Sequence, residues 1–437
     1  MIFKPYPKYT SCAIQWFNEI PQSWKQVRVE QYLIKKDENI GDLWSSTQLL
    51  SLTQKGIIEK DINEGKGKTH SDYSTYQAID IGDLVFCLFD IDETPRTVGL
   101  STKKGMITSA YTAFKSKENI NTQYVYYFFE SLDDAKALKP YYKGLRKTVR
   151  PPEFLKIHVP FPPKVEQVAI SQFLDTETAR IDNLISKQEK LIELLEEQRK
   201  SIISHAVTKG LNPNAPMKDS GVEWLGDVPE HWMTPSSKHL LEIPITDGPH
   251  ETPNFVDDGV PFISAEAISK GKIDFDKKRG YITPELNAIY SKKYSPKIED
   301  IYMVKSGATT GKVAMVETTE EFNIWSPLAV FRCNKNKVLP KFLLAVFNSS
   351  HFYDALVLNW SYGTQQNIGM GVLSNIEIPC PPLKEQAEII QHLDAQNTKF
   401  DKLISTQSQL IEKLKEYRSS IISHAVTGKI DVREFGA

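Results

Sequence analysis

The chain of 437 residues is long enough for two globular domains with connecting structure, and its 40% hydrophobic and 25% charged residues are those of a folded protein. A formal charge of −2 excludes a uniformly basic, nucleic-acid-coating protein. No run approaches the ~20 apolar residues of a membrane span, Met1-Ile2-Phe3-Lys4-Pro5 begins no secretory signal, and Cys12, Cys87, Cys333 and Cys380 make no C-x-x-C pair, so neither a zinc site nor a disulfide framework is indicated and the cytoplasm is the expected compartment.

From the N-terminus, Trp16 and Ile20-Pro21-Gln22-Ser23-Trp24 form a short motif that returns in mid-chain as Trp224 and Val228-Pro229-Glu230-His231-Trp232. A first globular segment follows, in which Gly82-Asp83-Leu84-Val85-Phe86 and Ser109-Ala110-Tyr111 are spaced like Glu299-Asp300-Ile301-Tyr302-Met303 and Ser326-Pro327-Leu328 of a second segment. Between Lys136 and Lys156 lie Lys139, Lys143, Arg146, Lys147 and Arg150, opposed only by Glu153 and interleaved with Tyr141 and Tyr142. Such a concentration is a phosphate-binding candidate, and a solvated charged face is the alternative.

Residues 160–208 then recur without a gap at 379–427, with more than half of the positions identical and a constant offset of 219 residues (385 against 166, 424 against 205). Each copy predicts a long helix that begins after Pro162-Pro163 or Pro381-Pro382 with an acidic residue close behind, and ends at Gly210 or Gly428. From 166 to 205 such a helix spans ~60 Å. Leu184, Gln188, Leu191, Leu195, Gln198 and Ile202 step by fours and threes, as do Leu403, Gln407, Leu410, Leu414, Tyr417 and Ile421, which predicts a coiled-coil seam in each. Independent packing of each helix on a neighbouring domain is the other reading. Chain order favours pairing: the second helix can meet the first only if it runs antiparallel, giving an elongated molecule of approximate two-fold symmetry.

In the second segment, Lys305, Ser306, Thr309, Thr310 and Lys312 belong to a stretch, Gly307 to Lys312, that resembles a phosphate loop but is one residue short and carries Val313 where a magnesium-binding hydroxyl is needed. Further on, Gly363 aligns by the repeat offset with Gly144, but its surroundings, Asn359 to Asn367, are uncharged. Gln365, Gln366 and Asn367 suit an adenine edge, where Arg and Lys suit guanine or phosphate. Two such loops would read different sequences. No dinucleotide fingerprint, H-E-x-x-H or G-x-S-x-G occurs, and His205 and His424 read as packing or capping residues near helix ends. No catalytic and no metal-ligating residues are expected.

The frame of two diverged segments alternating with two repeated helices, each opening with P-P-x-x-E-Q and closing with S-I-I-S-H-A-V-T, resembles the specificity subunit of type I restriction–modification systems; 221–232, 300–312 and 363–368 add to the resemblance, which covers essentially the whole chain. The first segment departs from the pattern at Cys12 to Phe17, and at Phe86-Cys87-Leu88-Phe89-Asp90, where the second has its Gly-rich turn. The fold implied is α+β: an N-terminal segment and target recognition domain over 1–157, a repeated helix and linker over 158–228, a second target recognition domain over 229–376 and the closing helix over 377–437. The function implied is recognition of a bipartite site on double-stranded DNA, without catalysis. The implied partners are two methyltransferase subunits that flip and methylate adenine, and restriction subunits that translocate and cut. S-adenosylmethionine, ATP and magnesium would reside on those partners and none on this chain. A structural coiled-coil adaptor, and the specificity subunit of another restriction–methyltransferase type lacking separate nuclease subunits, are the alternatives.

Overall fold

A computed structural model describes residues 4–61, 73–143, 147–269, 271–359, 361–362 and 366–435. The chain divides into two compact units, and neither is a continuous stretch: one comprises residues 1–188 and 409–437, the other 189–408. Each takes one globular domain, half of the first long helix (Lys164–Lys209) and half of the second (Leu383–Val426). The linear division into domain, helix, domain and helix therefore does not describe the compact units, because both helices change unit near their middles. No described helix is long and apolar enough to cross a membrane.

Both domains are built on the same antiparallel sheet. In the first unit the strand order is Leu33–Lys35, Thr112–Ser116, Leu84–Phe86, Val98–Leu100; in the second it is Thr246–Asp247, Leu328–Phe331, Ile301–Val304, Val313–Met315. A further parallel pair also recurs, Met106 opposite Leu49 and Phe262 opposite Asn323. All four residues of Ile301–Val304 are buried because both faces of this strand are covered. Ile301 and Met303 join one apolar cluster, and Tyr302 and Val304 another, as the two-residue period of a strand requires. The skeleton shared by 82–86 and 299–303 is thus the central strand of each sheet.

The repeated P-P-x-x-E-Q motif fastens each helix start to its own unit. Gln167 accepts the amide of Asn121 (3.1 Å) and donates to the Pro162 carbonyl (2.9 Å); Gln386 accepts from Leu339 (2.8 Å) and donates to the Pro381 carbonyl (2.9 Å). Asn121 and Leu339 are themselves the N-caps of the helices Thr122–Asp134 and Pro340–Phe347, so one side chain orients two helix starts. The preceding glutamate takes a tryptophan: Trp24 Nε1 donates to Glu166 (2.7 Å), and Trp232 Nε1 to Glu385 (3.1 Å). Against the same two tryptophans lie the closing glycines of the opposite helices, Gly428 beside Trp24 and Gly210 beside Trp232, at φ of +73° and +75°.

Within each unit the two half-helices run antiparallel. In the first, Glu166 and Gly428 both meet Trp24, while Asp182 accepts from Arg418 Nε (3.0 Å). In the second, Gly210 and Glu385 meet Trp232, and Arg199 is hydrogen-bonded to Asp401. These two interhelical ion pairs are the same pair, displaced by the repeat.

The seam differs from its predicted register at alternate positions. The positions sheltered along the first helix are Ile181, Ile185, Gln188, Ile192, Leu195, Arg199, Ile202 and Ala206, and along the second Phe400, Ile404, Gln407, Ile411, Leu414, Arg418, Ile421 and Ala425. Gln188, Leu195, Gln407 and Leu414 lie where the spacing places them. Leu191, Leu403 and Leu410 are instead 39%, 46% and 39% exposed, Tyr417 and Gln198 are exposed too, and Leu184 shares its shelter with Ile185. Adjacent apolar pairs at 184–185, 191–192, 403–404 and 410–411 satisfy either register, and an arginine standing inside the seam conceals the true one.

Candidate nucleic-acid interface

In the second unit, residues 305–312 must return the chain from Ile301–Val304 to Val313–Met315. Gly307 and Gly311 supply the left-handed backbone, at φ of +105° and +90°. Thr310, 5% exposed, donates its hydroxyl to the Gly307 carbonyl (2.7 Å), and Val304 N closes the hairpin by donating to the Lys312 carbonyl (2.8 Å). The stretch leads into a strand, whereas a phosphate loop leads into a helix, so its resemblance to one ends there.

The two stretches of the second segment flagged in sequence form one site. Gly307 N donates to the Gln366 carbonyl (3.1 Å), Ser306 bridges Asn367, and Ile368 N donates to the Lys305 carbonyl (2.8 Å). Lys312, Gln366 and Asn367 are exposed on this composite surface, and Ser306 and Thr309 are half-buried. Lys305 is turned inward, its ammonium 3.2 Å from Asp247 and its side chain only 13% exposed. With Thr310 it shapes the loop. Gln365 lies outside the described residues.

The first unit builds the corresponding site from different residues. Phe89 bridges Thr148, Val149 N donates to the Leu88 carbonyl (2.8 Å), and Asp90 N to the Lys147 carbonyl (3.3 Å). The turn after Leu84–Phe86 therefore meets the basic stretch as the hairpin of the second unit meets Gln366-Asn367. Phe154, fully buried in the helix Pro151–Leu155, packs on Phe86 (4.9 Å) and Phe114 (5.3 Å) and holds the base of the basic stretch to the core. In the second unit Leu373 of Met370–Asn375 is buried in the equivalent place.

Charge is distributed in opposite ways. In the first unit the turn carries acids: Asp92 accepts from the Tyr142 hydroxyl (2.9 Å) and pairs with Lys147 (3.4 Å) and Lys139 (3.7 Å), while Glu93 pairs with Lys147 (2.8 Å). The Tyr142 hydrogen bond, with Lys147 beside it, holds the Asp92 carboxyl below its ordinary value, and Glu93 together with Asp92 raises Lys147. Lys143 pairs with Glu153 (3.1 Å) and lowers that carboxyl, and Arg150 is exposed at the N-cap of Pro151–Leu155. Arg146 lies outside the described residues. Exposed ion pairs of this kind are weak and screened by salt, so a phosphate can take either lysine over from its carboxylate. In the second unit the turn carries the cations and the facing stretch is uncharged. Asp92 and Glu93 were not singled out in the sequence, and Tyr142 was read there only as part of the basic stretch; an acidic turn at the position of a Gly-rich basic one was the available signal.

Outside these sites, Leu191 and Leu194 on the first helix and Leu403, Leu410 and Tyr417 on the second remain exposed. Among the described residues no cluster of His, Cys, Asp and Glu could hold a metal.

Residues 229–416 match the family model of the type I restriction modification DNA specificity domain. The chain is 26% identical over 340 residues to the type I restriction enzyme MjaVIII specificity subunit of Methanocaldococcus jannaschii, covering 76% of each. It is 32% identical over 209 residues to a putative type I restriction enzyme MjaX specificity subunit of the same organism, covering 46% of this chain and 47% of that one. Among solved structures it resembles a chain from a study of complex assembly and conformational transition in the type I R-M system, with a TM-score of 0.66 and 16% identity over 94% of this chain and 99% of that one.

Proposed function

The chain belongs to the specificity subunits of type I restriction–modification systems, and on that premise we propose that it reads a bipartite site on double-stranded DNA for partner subunits that methylate and cut. The observation that carries this reading is the pair of composite loops at corresponding places in two like domains, built with different chemistry. Lys143, Lys147 and Arg150, with Arg146 between them in sequence, suit phosphates and guanine edges; Gln366 and Asn367, with Gln365 before them in sequence, suit adenine, and Lys312 a phosphate. Each domain takes one half-site.

The chain contributes no chemistry of its own. S-adenosylmethionine, ATP and magnesium belong to the partners, two methyltransferase subunits and the restriction subunits. The exposed apolar positions that recur on the two helices, Leu191 and Leu410 at the same place in the repeat, support docking of two like partners.

The test is a map of N6-methyladenine across the genome of cells with and without this chain. A bipartite motif is expected to lose its methylation when the chain is removed, while the purified chain supplied with S-adenosylmethionine alone transfers no methyl group. Methylation by the isolated chain would refute the non-catalytic reading, and assembled complexes with no duplex-specific binding would make the chain a structural adaptor.

A further inference from the structure

Lys305 opens the hairpin 305–312 and is the point at which three segments of the second domain are joined. Its amide donates to the Pro327 carbonyl (2.8 Å), its carbonyl accepts from Ile368 (2.8 Å), and its ammonium meets Asp247. Asp247 is 1% exposed at its side chain and sits in the edge strand Thr246–Asp247, opposite Ala329. Its carboxylate gathers two ammonium groups and an imidazole: Lys293 at 2.6 Å, Lys305 at 3.2 Å and His250 at 3.1 Å. The next residue has to be glycine, since a Cβ on Gly248 would stand 2.0 Å from the Ile324 carbonyl oxygen. That approach fixes the backbone on which Asp247 is carried.

A carboxylate so sheltered is costly unless it is paired. Burial raises its pKa, and Lys293 and Lys305 more than offset that, so the group stays ionised. The arrangement differs from the exposed lysine pairs of the first domain. Lys293 is 51% exposed and His250 70%, whereas Lys305 is sheltered with the acid, so of the three it is the one whose position the acid governs most closely.

We propose that Asp247 is a positioning residue for DNA reading by the second domain: by holding Lys305 it fixes the hairpin 305–312 against Gln366-Asn367, and so sets the geometry in which that loop pair meets its half-site. The inference rests on the reading of these loops as a DNA interface. Asp247 itself touches no base; it acts through Lys305.

Two measurements on the full-length chain test it, and they fail separately. Asp247→Asn keeps the volume and removes the charge. Amide hydrogen exchange of residues 304–312 and 366–368 is expected to quicken by about tenfold, while Leu328–Phe331 and the first domain keep their protection; unchanged exchange in the hairpin overturns the clamp, whether or not the loops read DNA. In cells carrying the partner subunits, the methylated motif is expected to relax by about tenfold in base preference at the second domain's half-site and to keep the first half unchanged. Lys305→Met should relax the same half, and the double variant should be no worse than Asp247→Asn alone, because that variant has already lost the Lys305 contact. Quickened exchange with an unrelaxed motif overturns the positioning role. Relaxation of both halves, or additive losses, would reduce Asp247 to a general stabiliser. If Gln366→Ala and Asn367→Ala leave the motif untouched, the DNA-reading assignment of these loops fails instead.

Discussion

Glu166 and Glu385 hold the same place in the repeat but are not equally sheltered, and the difference sets what each contributes. Glu166, 6% exposed, accepts from both Trp24 and the hydroxyl of Tyr6 (3.0 Å), whereas Glu385 accepts from Trp232 and meets the imidazole of the half-exposed His231 (2.7 Å). Glu166→Ala leaves two buried donors unpaired and is expected to cost about 3 kcal/mol; Glu385→Ala leaves one and should cost about 1 kcal/mol. Denaturant unfolding of the two variants measures this, and equal losses would contradict it. The repeat made the Glu-Gln pair visible in sequence, but Trp24 lies 142 residues from Glu166, a distance at which no local pattern joins them. Lys305 and Thr310 show the converse difficulty. Their residue types and neighbours suit a nucleic-acid contact, yet one is paired with Asp247 and the other with the Gly307 carbonyl. Lys312, Gln366 and Asn367 were legible as surface polar groups, and their convergence with the hairpin was not, because it depends on strand pairing of residues some 60 apart in the chain.

At the scale of the helices, the arginine inside each seam explains both the register and its concealment. Arg418 reaches Asp182 across the helix pair and also Glu130 of Thr122–Asp134 (3.2 Å), which is 2% exposed and has Arg96 near the same carboxylate oxygen (3.6 Å). Burial raises the Glu130 pKa, Arg418 and Arg96 pull it back, and the net shift is upward. A raised carboxyl contributes stability below its unfolded value near ~4.3 and loses it as pH rises through the folded value. Arg418→Met removes the larger opposing charge, so the folded pKa rises further and the loss deepens toward neutrality. The variant is expected to be about 3 kcal/mol less stable than the parent at pH 7 and to close much of that gap near pH 4.5. Asp182, more than half exposed, adds little to this dependence. A gap that widens on acidification would show that Glu130 is not the group responsible. The equivalent Arg199 meets the main-chain carbonyl of Asn397 as well as Asp401, and its second carboxylate is the half-exposed Glu196 of its own helix (3.6 Å) rather than a buried acid of the domain. Sequence periodicity identified both helices and their ends; it could not choose between Leu191 and Ile192, since the choice depends on which neighbour covers them.

For the whole molecule, if the paired helices set the spacing between the two half-sites, the change of unit in mid-helix is where that spacing can be altered. The first helix passes from one unit to the other after Gln188, and the second after Ser408, so residues 188–194 and 407–413 straddle both junctions. Deleting these two heptads keeps every seam position in phase, since the 4–3 spacing repeats each seven residues, and it removes none of Arg199, Arg418, Asp182 or Asp401. Each helix shortens by ~10 Å, equivalent to about three base pairs at the ~3.4 Å rise of one strand. Both composite loops are untouched, but the exposed Leu191 and Leu410 go with the deletion, so binding of the methyltransferase subunits by the shortened chain is measured alongside. The half-sites of the methylated motif are therefore expected to persist with fewer bases between them, and mapping of N6-methyladenine in cells carrying the shortened chain reads this directly. Phase limits the outcome: the duplex turns once in ~10 base pairs, so losing three turns one half-site by nearly a third of a revolution relative to the other. Strain in the chain or a twist in the DNA must absorb that rotation, and methylation is expected to weaken as well as to shift. A fully active variant that still methylates the original motif at its original spacing would show that the helices join the two reading domains without measuring the distance between them.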